Sequence, residues 1–188
     1  MGPQLRFGPG RSARPARRLP GAAIYVLALA AALGNGLARA EPSAQASPSQ
    51  VTNFALADQQ GRLHKYHFPK TKLSLVTVAD QKGSTQIESW IRPVRQRYET
   101  TIDIDGIADV SAVPVLLRGV VTRRFRKGLD YPVMLDWTGA VCRQFAHVKG
   151  QVNVYLLDRE GRVLHRQNGP ASEEALRALY AELDRAKP

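Results

Sequence analysis

The segment from Tyr131 to Gly169 decides the fold, and it reads YPVMLDWTGAVCRQFAHVKGQVNVYLLDREGRVLHRQNG. Two short apolar runs within it, Tyr131–Leu135 and Val152–Leu157, are bounded by turn residues, which is typical of buried strands. The letters DREG at 158–161 form a turn that leads into a further strand, Arg162–Arg166. This segment therefore predicts a strand, a short helix and then a hairpin of two strands.

The residues before this segment alternate strands with helices. KLSLVTVA at 72–79 is apolar and β-branched enough for a buried central strand, and a hairpin around the turn at 58–62 precedes it. Thr85 as N-cap and Glu88 three residues later form a capping box, which predicts a helix that runs to about Tyr98. A strand at Thr101–Ile107, with one solvated face, follows.

Two further helices complete the pattern. The helix predicted at Val113–Lys127 has apolar residues at helical spacing, which indicates a buried face; they are Val113, Leu116, Leu117, Val120, Val121 and Phe125. Ser172 caps a last amphipathic helix. Strands that alternate with helices and end in an antiparallel hairpin predict an α/β fold, in which a mixed sheet carries helices on both faces.

The element order and two motifs resemble the thioredoxin-like superfamily. The motifs are YPVMLDWTG at 131–139 and VYLLDREGRV at 154–163, and they are similar to those of the peroxiredoxin and alkyl hydroperoxide reductase branch, the redoxins. The chain also resembles small exported proteins of the YtfJ type. The resemblance spans residues 51–185 and implies a thioredoxin-like mixed sheet, with a thiol redox site at the start of the first helix.

The thiols that this resemblance implies are missing. A C-x-x-C motif should fall near 83–86, where a helix N-terminus lowers the thiol pKa, but the residues there are Gly-Ser-Thr-Gln. The peroxidatic motif P-x-x-x-T-x-x-C is also absent, and Val152 stands where thioredoxins hold a cis-proline. The sequence therefore predicts a thioredoxin fold that has lost its redox motif and works as a non-catalytic binding or accessory module.

The single cysteine, Cys142, leaves an alternative open. It lies at the start of a predicted short helix, where the helix N-terminus and Arg143 could lower its pKa. Free cysteine is, however, commonly a small buried apolar residue, and we favour that interpretation. The alternative function is a single-cysteine thiol oxidoreductase, or a peroxiredoxin-like antioxidant protein, that uses Cys142.

A binding surface is predicted at Ser84, Thr85 and Val152. Thioredoxin-like proteins present the start of the first helix beside the loop before the later strand, and the groove between them can hold an extended peptide without the cysteines. The alternative for Ser84 and Thr85 is helix capping alone. A basic cluster, RRFRK at 123–127, could dock an acidic partner or an anionic membrane, or could be a solvated helix end.

No metal site and no cofactor are expected from the sequence. His64 and His67 are three apart on a predicted strand and so point to opposite faces. Asp103, Asp105 and Asp109 lack the glycine and the terminal glutamate of a calcium loop in register.

The first forty residues have the pattern of a secretory signal peptide. They contain six arginines and no acidic residue, and an apolar run from Ala22 to Leu33 precedes Ala38-Arg39-Ala40, a cleavage site. The run is shorter than the roughly 20 residues that span a bilayer, although an uncleaved anchor is the alternative. We predict cleavage after Ala40, a disordered tether at 41–50, and a thioredoxin-like domain at 51–188 in the periplasm.

Charge excludes one class of partner. Loss of the six leader arginines leaves 21 of the 27 basic residues against 16 acidic ones, so the mature domain has a net charge of about +5. Apart from the single cluster at 123–127, the sequence has no basic runs interleaved with aromatic residues, which nucleic-acid binding favours. We expect a protein or peptide partner in the periplasm, no nucleic acid, and no stable membrane insertion.

Overall fold

The computed structural model describes residues 49–186, which form two β-sheets and flanking helices. The larger sheet has five strands in the order β5-β4-β3-β6-β7; they are β3 (Ser74–Ala79), β4 (Asp103–Asp109), β5 (Met134–Asp136), β6 (Asn153–Leu157) and β7 (Val163–Asn168). A separate antiparallel pair consists of β1 (Phe54–Ala57) and β2 (Leu63–Tyr66). The helices are α1 (Ile87–Tyr98), α2 (Arg118–Gly128), α3 (Ala140–Gln144) and α4 (Glu173–Ala186).

The five-stranded sheet is mixed, as the sequence predicts. β3 pairs in parallel with β4 and antiparallel with β6, while β4 pairs in parallel with β5. β6 and β7 form the hairpin predicted around residues 158–161. Because β3, β4 and β5 run in the same direction, their carboxyl ends meet at one edge of the sheet.

A hydrophobic core lies on each face of this sheet. Side chains of β3 alternate between the faces, so that Leu75 and Ala79 contact one core while Val76 and Val78 contact the other. The first core includes α1 and α4, through residues such as Trp90, Val94, Tyr98, Leu179 and Leu183. The second includes β2 and α3, through Tyr66, Val141 and Phe145. Trp90 also donates its indole N–H to the Gly169 carbonyl oxygen at 2.8 Å.

The sequence D-x-x-G-R occurs at both hairpin turns and forms the same structure twice. One carboxylate oxygen of Asp58 accepts the backbone N–H groups of Gln60 and Arg62, at 2.8 and 3.0 Å. Asp158 accepts those of Glu160 and Arg162 in the same way, at 2.9 and 2.8 Å. The glycine of each turn is left-handed, with φ of 84° at position 61 and 82° at position 161. A side chain would strain that conformation, so glycine is required.

Several local predictions were wrong. The capping box is absent: α1 begins at Ile87 after a 3-10 turn, and its N-cap residue, Gln86, makes no side-chain capping bond. The predicted helix at 113–127 is a 3-10 turn at Val115–Leu117 followed by α2, and none of its apolar residues is fully buried. In contrast, the Ser172 cap is confirmed, because its hydroxyl accepts the N–H of Ala175 at 3.1 Å.

The predicted tether ends earlier than expected. Ser49 and Gln50 already contact the domain, since Gln50 forms an antiparallel bridge with Arg162 and Ser49 accepts the N–H of Val163 at 3.0 Å. The predicted signal peptide at 1–40 and the rest of the tether lie outside the described residues.

Candidate functional site

The turn after β3 occupies the position at which the resemblance implies reactive cysteines. It is the 3-10 turn Gly83–Gln86, which leads directly into α1. Asp80 holds this turn: one of its carboxylate oxygens accepts the N–H of Gly83 at 2.8 Å, and the other accepts the N–H of Gly150 at 2.7 Å. The same carboxylate thus joins the turn to the loop that precedes β6.

Position 83 has no room for a side chain. A Cβ atom on Gly83 would lie 2.2 Å from the carbonyl oxygen of Gln151 and 2.8 Å from the nitrogen of Val152. Next to this contact, the Val152 N–H donates to the side-chain oxygen of Gln86 at 3.1 Å. The turn and the loop therefore pack backbone against backbone, and a cysteine at position 83 would force them apart.

The structure brings Ser84, Thr85 and Val152 to one place, but their side chains differ in exposure. Val152 is 0% exposed, so its side chain cannot contact a partner. Ser84 is half-buried and donates its hydroxyl to the Gln81 carbonyl at 2.7 Å. Thr85 is exposed and donates its hydroxyl to the Lys82 carbonyl at 3.0 Å. A binding role for the three stays a prediction, and among them Thr85 offers the exposed side chain.

Cys142 lies within α3 and is 3% exposed, which confirms that it is buried. Its backbone N–H donates to a carboxylate oxygen of Asp136 at 2.9 Å. Burial raises the pKa of the Cys142 thiol, and the negative charges of Asp136 and Asp109 raise it further. A thiol nucleophile needs a lowered pKa and access to solvent, so Cys142 has the opposite of both properties.

Three aspartates lie at the sheet edge where β3, β4 and β5 end: Asp80, Asp109 and Asp136. All three accept hydrogen bonds from backbone N–H groups of the adjoining segments, Asp109 from the N–H of Ser111 at 3.0 Å. Asp109 also lies beside Cys142 and His147. One ring nitrogen of His147, the sulfur of Cys142 and a carboxylate oxygen of Asp109 all lie within 4.8 Å of one another.

This cluster of Asp109, Cys142 and His147 is shielded from solvent. The side chains of Asp109 and His147 are 6% and 2% exposed, and Nδ1 of His147 lies 3.4 Å from Oδ2 of Asp109. Burial lowers the pKa of His147, although the carboxylates of Asp109 and Asp80 oppose the shift.

The cluster is not predicted by the sequence. The spacing of the aspartates tests Asp109 only against a calcium loop, and no pattern points to His147. One signal was available: aspartates at the ends of strands predicted to be parallel should meet at one edge. His147 follows Ala146, whose left-handed backbone (φ 48°) is rare for a residue with a side chain and is not indicated by the sequence.

A second candidate surface surrounds the start of α2, and we call it the α2 surface. Its members are the exposed residues Val115, Leu116, Leu117, Val120, Arg123, Arg124 and Lys127. Leu116 is 94% exposed. Val120 lies one helical turn before Arg123 and Arg124, so an apolar patch passes into a cationic one. Within residues 49–186, Arg123, Arg124 and Lys127 have no hydrogen-bond or ion-pair partner.

Arginines near its two ends attach α2 to the domain. Arg118 donates to the Trp137 carbonyl at 3.4 Å and lies over the Trp137 ring. Arg126 donates to the Gln59 carbonyl. Because these polar contacts position the helix, its exposed apolar residues are not needed to hold it in place.

Comparison with known proteins identifies the fold. The chain superposes on a protein assigned as the thiol:disulfide interchange protein DsbE from Chlorobium tepidum, with a TM-score of 0.56 and 17% identity over 74% of this chain and 96% of that one. The exposed lipoprotein thioredoxin Etrx1 of Streptococcus pneumoniae superposes with a TM-score of 0.56 and 16% identity, over 71% of this chain and 99% of that one. A thiol-disulfide oxidoreductase of Bacteroides fragilis superposes with a TM-score of 0.50 and 18% identity, over 71% of this chain and 98% of that one. No family model and no curated protein matches the chain.

These superpositions and the mixed sheet show that the chain has a thioredoxin-like fold. At such low identity they show the fold and not the activity. The one cysteine of the sequence lies in α3 rather than at the start of α1, so the chain has no C-x-x-C motif. Within residues 49–186, no helix has both the length and the apolar character needed to cross a membrane.

Proposed function

We propose that this protein is an exported, non-catalytic thioredoxin-fold module that binds a protein partner in the cell envelope. The observation that carries this proposal is the packing at Gly83, where a Cβ would lie 2.2 Å from the Gln151 carbonyl oxygen. The four positions of the absent motif carry no thiol, and the first of them has no space for a side chain. The alternative nucleophile, Cys142, is buried and has a raised pKa.

Two finer assignments belong to this proposal. We assign the chain to the redoxin branch, near the YtfJ-type proteins, because YPVMLDWTG and VYLLDREGRV form β5 with the turn into α3, and the β6–β7 hairpin. Export is supported by the arginines, the apolar run and the Ala38-Arg39-Ala40 site in the first forty residues. The intact mass of the protein, expressed with its own leader, tests export. A mature chain that begins at Glu41 is expected, and a mass that retains residues 1–40 would contradict it.

We assign partner binding to the α2 surface. Large apolar side chains that are exposed side by side are removed from solvent when a partner covers them. This burial of apolar area is the main favourable contribution to association. Leu116 and its apolar neighbours would form the centre of such an interface. Arg123, Arg124 and Lys127 would form a cationic rim, because each is exposed and none has a hydrogen-bond or ion-pair partner in the described part of the chain.

The charges of this surface define the partner. α2 has the sequence RGVVTRRFRKG, which contains five basic residues and no acidic one. A complementary protein presents an apolar pocket with aspartate or glutamate at its rim. An anionic membrane would satisfy the same charges, and the experiment below distinguishes the two.

A photo-crosslinking amino acid placed at position 116 tests the assignment in the native cell envelope. The matched control places it at Leu63, another exposed leucine (59%), in β2. We expect a discrete protein adduct from position 116 and none from position 63. In binding assays with the identified protein, Leu116→Glu should weaken affinity at least tenfold while Leu63→Glu leaves it unchanged.

Three outcomes would overturn the proposal. Equal crosslinking from both positions would mean that the partner does not bind preferentially at the α2 surface. Adducts with lipid alone, together with Leu116-dependent binding to anionic vesicles, would replace the protein partner with a membrane. A crosslinked protein whose affinity depends on Thr85 and not on Leu116 would return the binding site to the turn at Gly83–Gln86.

A further inference from the structure

The imidazole of His147 has an unsatisfied polar atom inside the protein. Its Nε2 is buried and has no hydrogen-bond partner among residues 49–186. The other ring nitrogen lies beside Asp109, at 3.4 Å from Oδ2. Whichever nitrogen carries the proton, Nε2 is left as a buried donor or a buried lone pair without a partner. Such groups are costly and call for an explanation, which a bound ion can provide.

The groups around His147 are those that bind a borderline transition metal. Cysteine sulfur, histidine nitrogen and carboxylate oxygen are the three donor types found in zinc sites, with bonds of about 2.0 to 2.3 Å. A thiolate donor disfavours calcium and magnesium, which prefer oxygen ligands. We propose that Asp109, Cys142 and His147 bind one zinc-class divalent cation at the carboxyl edge of the sheet.

The spacing of the three donors suits this assignment. They lie within 4.8 Å of one another, and bonds of about 2.0 to 2.3 Å would draw them to within about 4 Å. Side-chain adjustments of about an ångström close that gap. The fourth tetrahedral position would hold a water molecule, as in zinc sites with three protein ligands.

The backbone around the cluster is fixed by hydrogen bonds. The His147 N–H donates to the Cys142 carbonyl at 3.0 Å. Asn153, which is buried, holds the loop that follows: it accepts the N–H of Val148 at 2.9 Å and donates to the carbonyls of Val148 and Gln151, at 3.0 and 3.1 Å. Loop and helix are thus held in position before a metal arrives, which lowers the entropy lost on binding.

Charge favours a cation at this place. The negative charges of Asp80 and Asp109 interact with His147, where the positive charge of Lys149 opposes them. The negative charge of Asp136 interacts with Cys142, where the positive charge of Arg143 opposes it. Metal binding exchanges one ion for one proton: the Cys142 thiol loses its proton to solvent and the sulfur bonds to the metal as thiolate. No electron transfer takes place, and this site is independent of the binding function of the α2 surface.

The test uses the purified full-length protein and two probes, Zn²⁺ and Co²⁺. We expect one Zn²⁺ per chain in equilibrium dialysis. Co²⁺ should produce a thiolate-to-cobalt charge-transfer absorption, which reports a cysteine ligand directly. Cys142→Ser should abolish that absorption. His147→Gln and Asp109→Asn should each lower the affinity for Zn²⁺ at least tenfold, in protein whose circular dichroism matches the wild type.

His165→Gln is the matched control. Nε2 of His165 is also buried without a hydrogen-bond partner, and burial lowers its pKa too, but His165 lies in β7 and outside the cluster. This variant should bind Zn²⁺ as the wild type does. Wild-type protein that binds no stoichiometric Zn²⁺, or that binds Co²⁺ without the charge-transfer absorption, would overturn the proposal. So would a folded His147→Gln variant with unchanged affinity, and Asp109→Asn offers the same test if His147→Gln does not fold.

Discussion

The turn at Gly83–Gln86 and the α2 surface differ in how many of their polar and apolar groups have partners within the domain. At the turn, Asp80 binds two backbone N–H groups, the hydroxyls of Ser84 and Thr85 bind carbonyls, and the loop before β6 closes over Gly83. At the α2 surface, Leu116 is almost fully exposed and Arg123 and Arg124 have no partner within residues 49–186. The turn at which thioredoxin-like proteins carry their reactive cysteines is therefore packed against a neighbouring loop, whereas the α2 surface is exposed to solvent.

Gly83→Cys should give the largest effect, because it forces a side chain into the closed turn. The new Cβ would meet the Gln151 carbonyl at 2.2 Å, and we expect a loss of about 2 to 3 kcal/mol in the free energy of unfolding. Denaturant-induced unfolding measures it. Gly119→Ala is the control: its Cβ would meet nothing within 4 Å, and it lies in α2, so a gain of up to about 1 kcal/mol is expected. A Gly83→Cys protein as stable as the wild type would show that the turn is open.

Reversing charge on α2 should give the next effect. Arg123→Glu with Arg124→Glu should lower the affinity for the crosslinked partner on the order of tenfold and reduce its dependence on salt, because charges at an interface rim steer association. Arg177→Glu, on the exposed part of α4, is the matched control and should change neither. Titrations at two salt concentrations measure both quantities. An unchanged affinity in the double variant would remove the cationic rim from the interface.

Thr85→Arg should give the smallest effect. Thr85 is exposed and its hydroxyl makes one local bond to the Lys82 carbonyl, at 3.0 Å, so the free energy of unfolding should change by less than about 1 kcal/mol. Affinity for the partner should stay the same if binding takes place at α2. Loss of binding in this variant would support instead the groove that the sequence predicts at Ser84, Thr85 and Val152.

Two predictions that rest on local signals were confirmed, although the capping box at Thr85 and Glu88, which is equally local, was wrong. The β6–β7 hairpin is encoded by D-x-x-G-R, whose aspartate and glycine form the turn by themselves, and the Ser172 cap depends on residues three apart. The mixed sheet followed from the order of such elements. Each of these features needs little information from the rest of the chain.

Predictions failed where tertiary packing decides the outcome. The apolar spacing at 113–127 indicated a buried face, yet α2 is positioned by Arg118 and Arg126, and Leu116 stays in solvent. The cluster of Asp109, Cys142 and His147 joins a strand end, a helix and a loop, and the left-handed backbone at Ala146 precedes its histidine. A loop residue in such a conformation has no periodic pattern that the sequence could reveal.

The central claim is that this thioredoxin fold has no thiol redox activity, and turnover of insulin disulfides and hydroperoxides by the purified mature protein tests it most directly. Cys142→Ser serves as the reference, because it removes the only thiol of the chain. We predict that wild type and Cys142→Ser reduce both substrates no faster than buffer does, since the thiol is buried and its pKa is raised. Turnover by the wild type that disappears in Cys142→Ser would contradict the claim and make the protein a single-cysteine oxidoreductase.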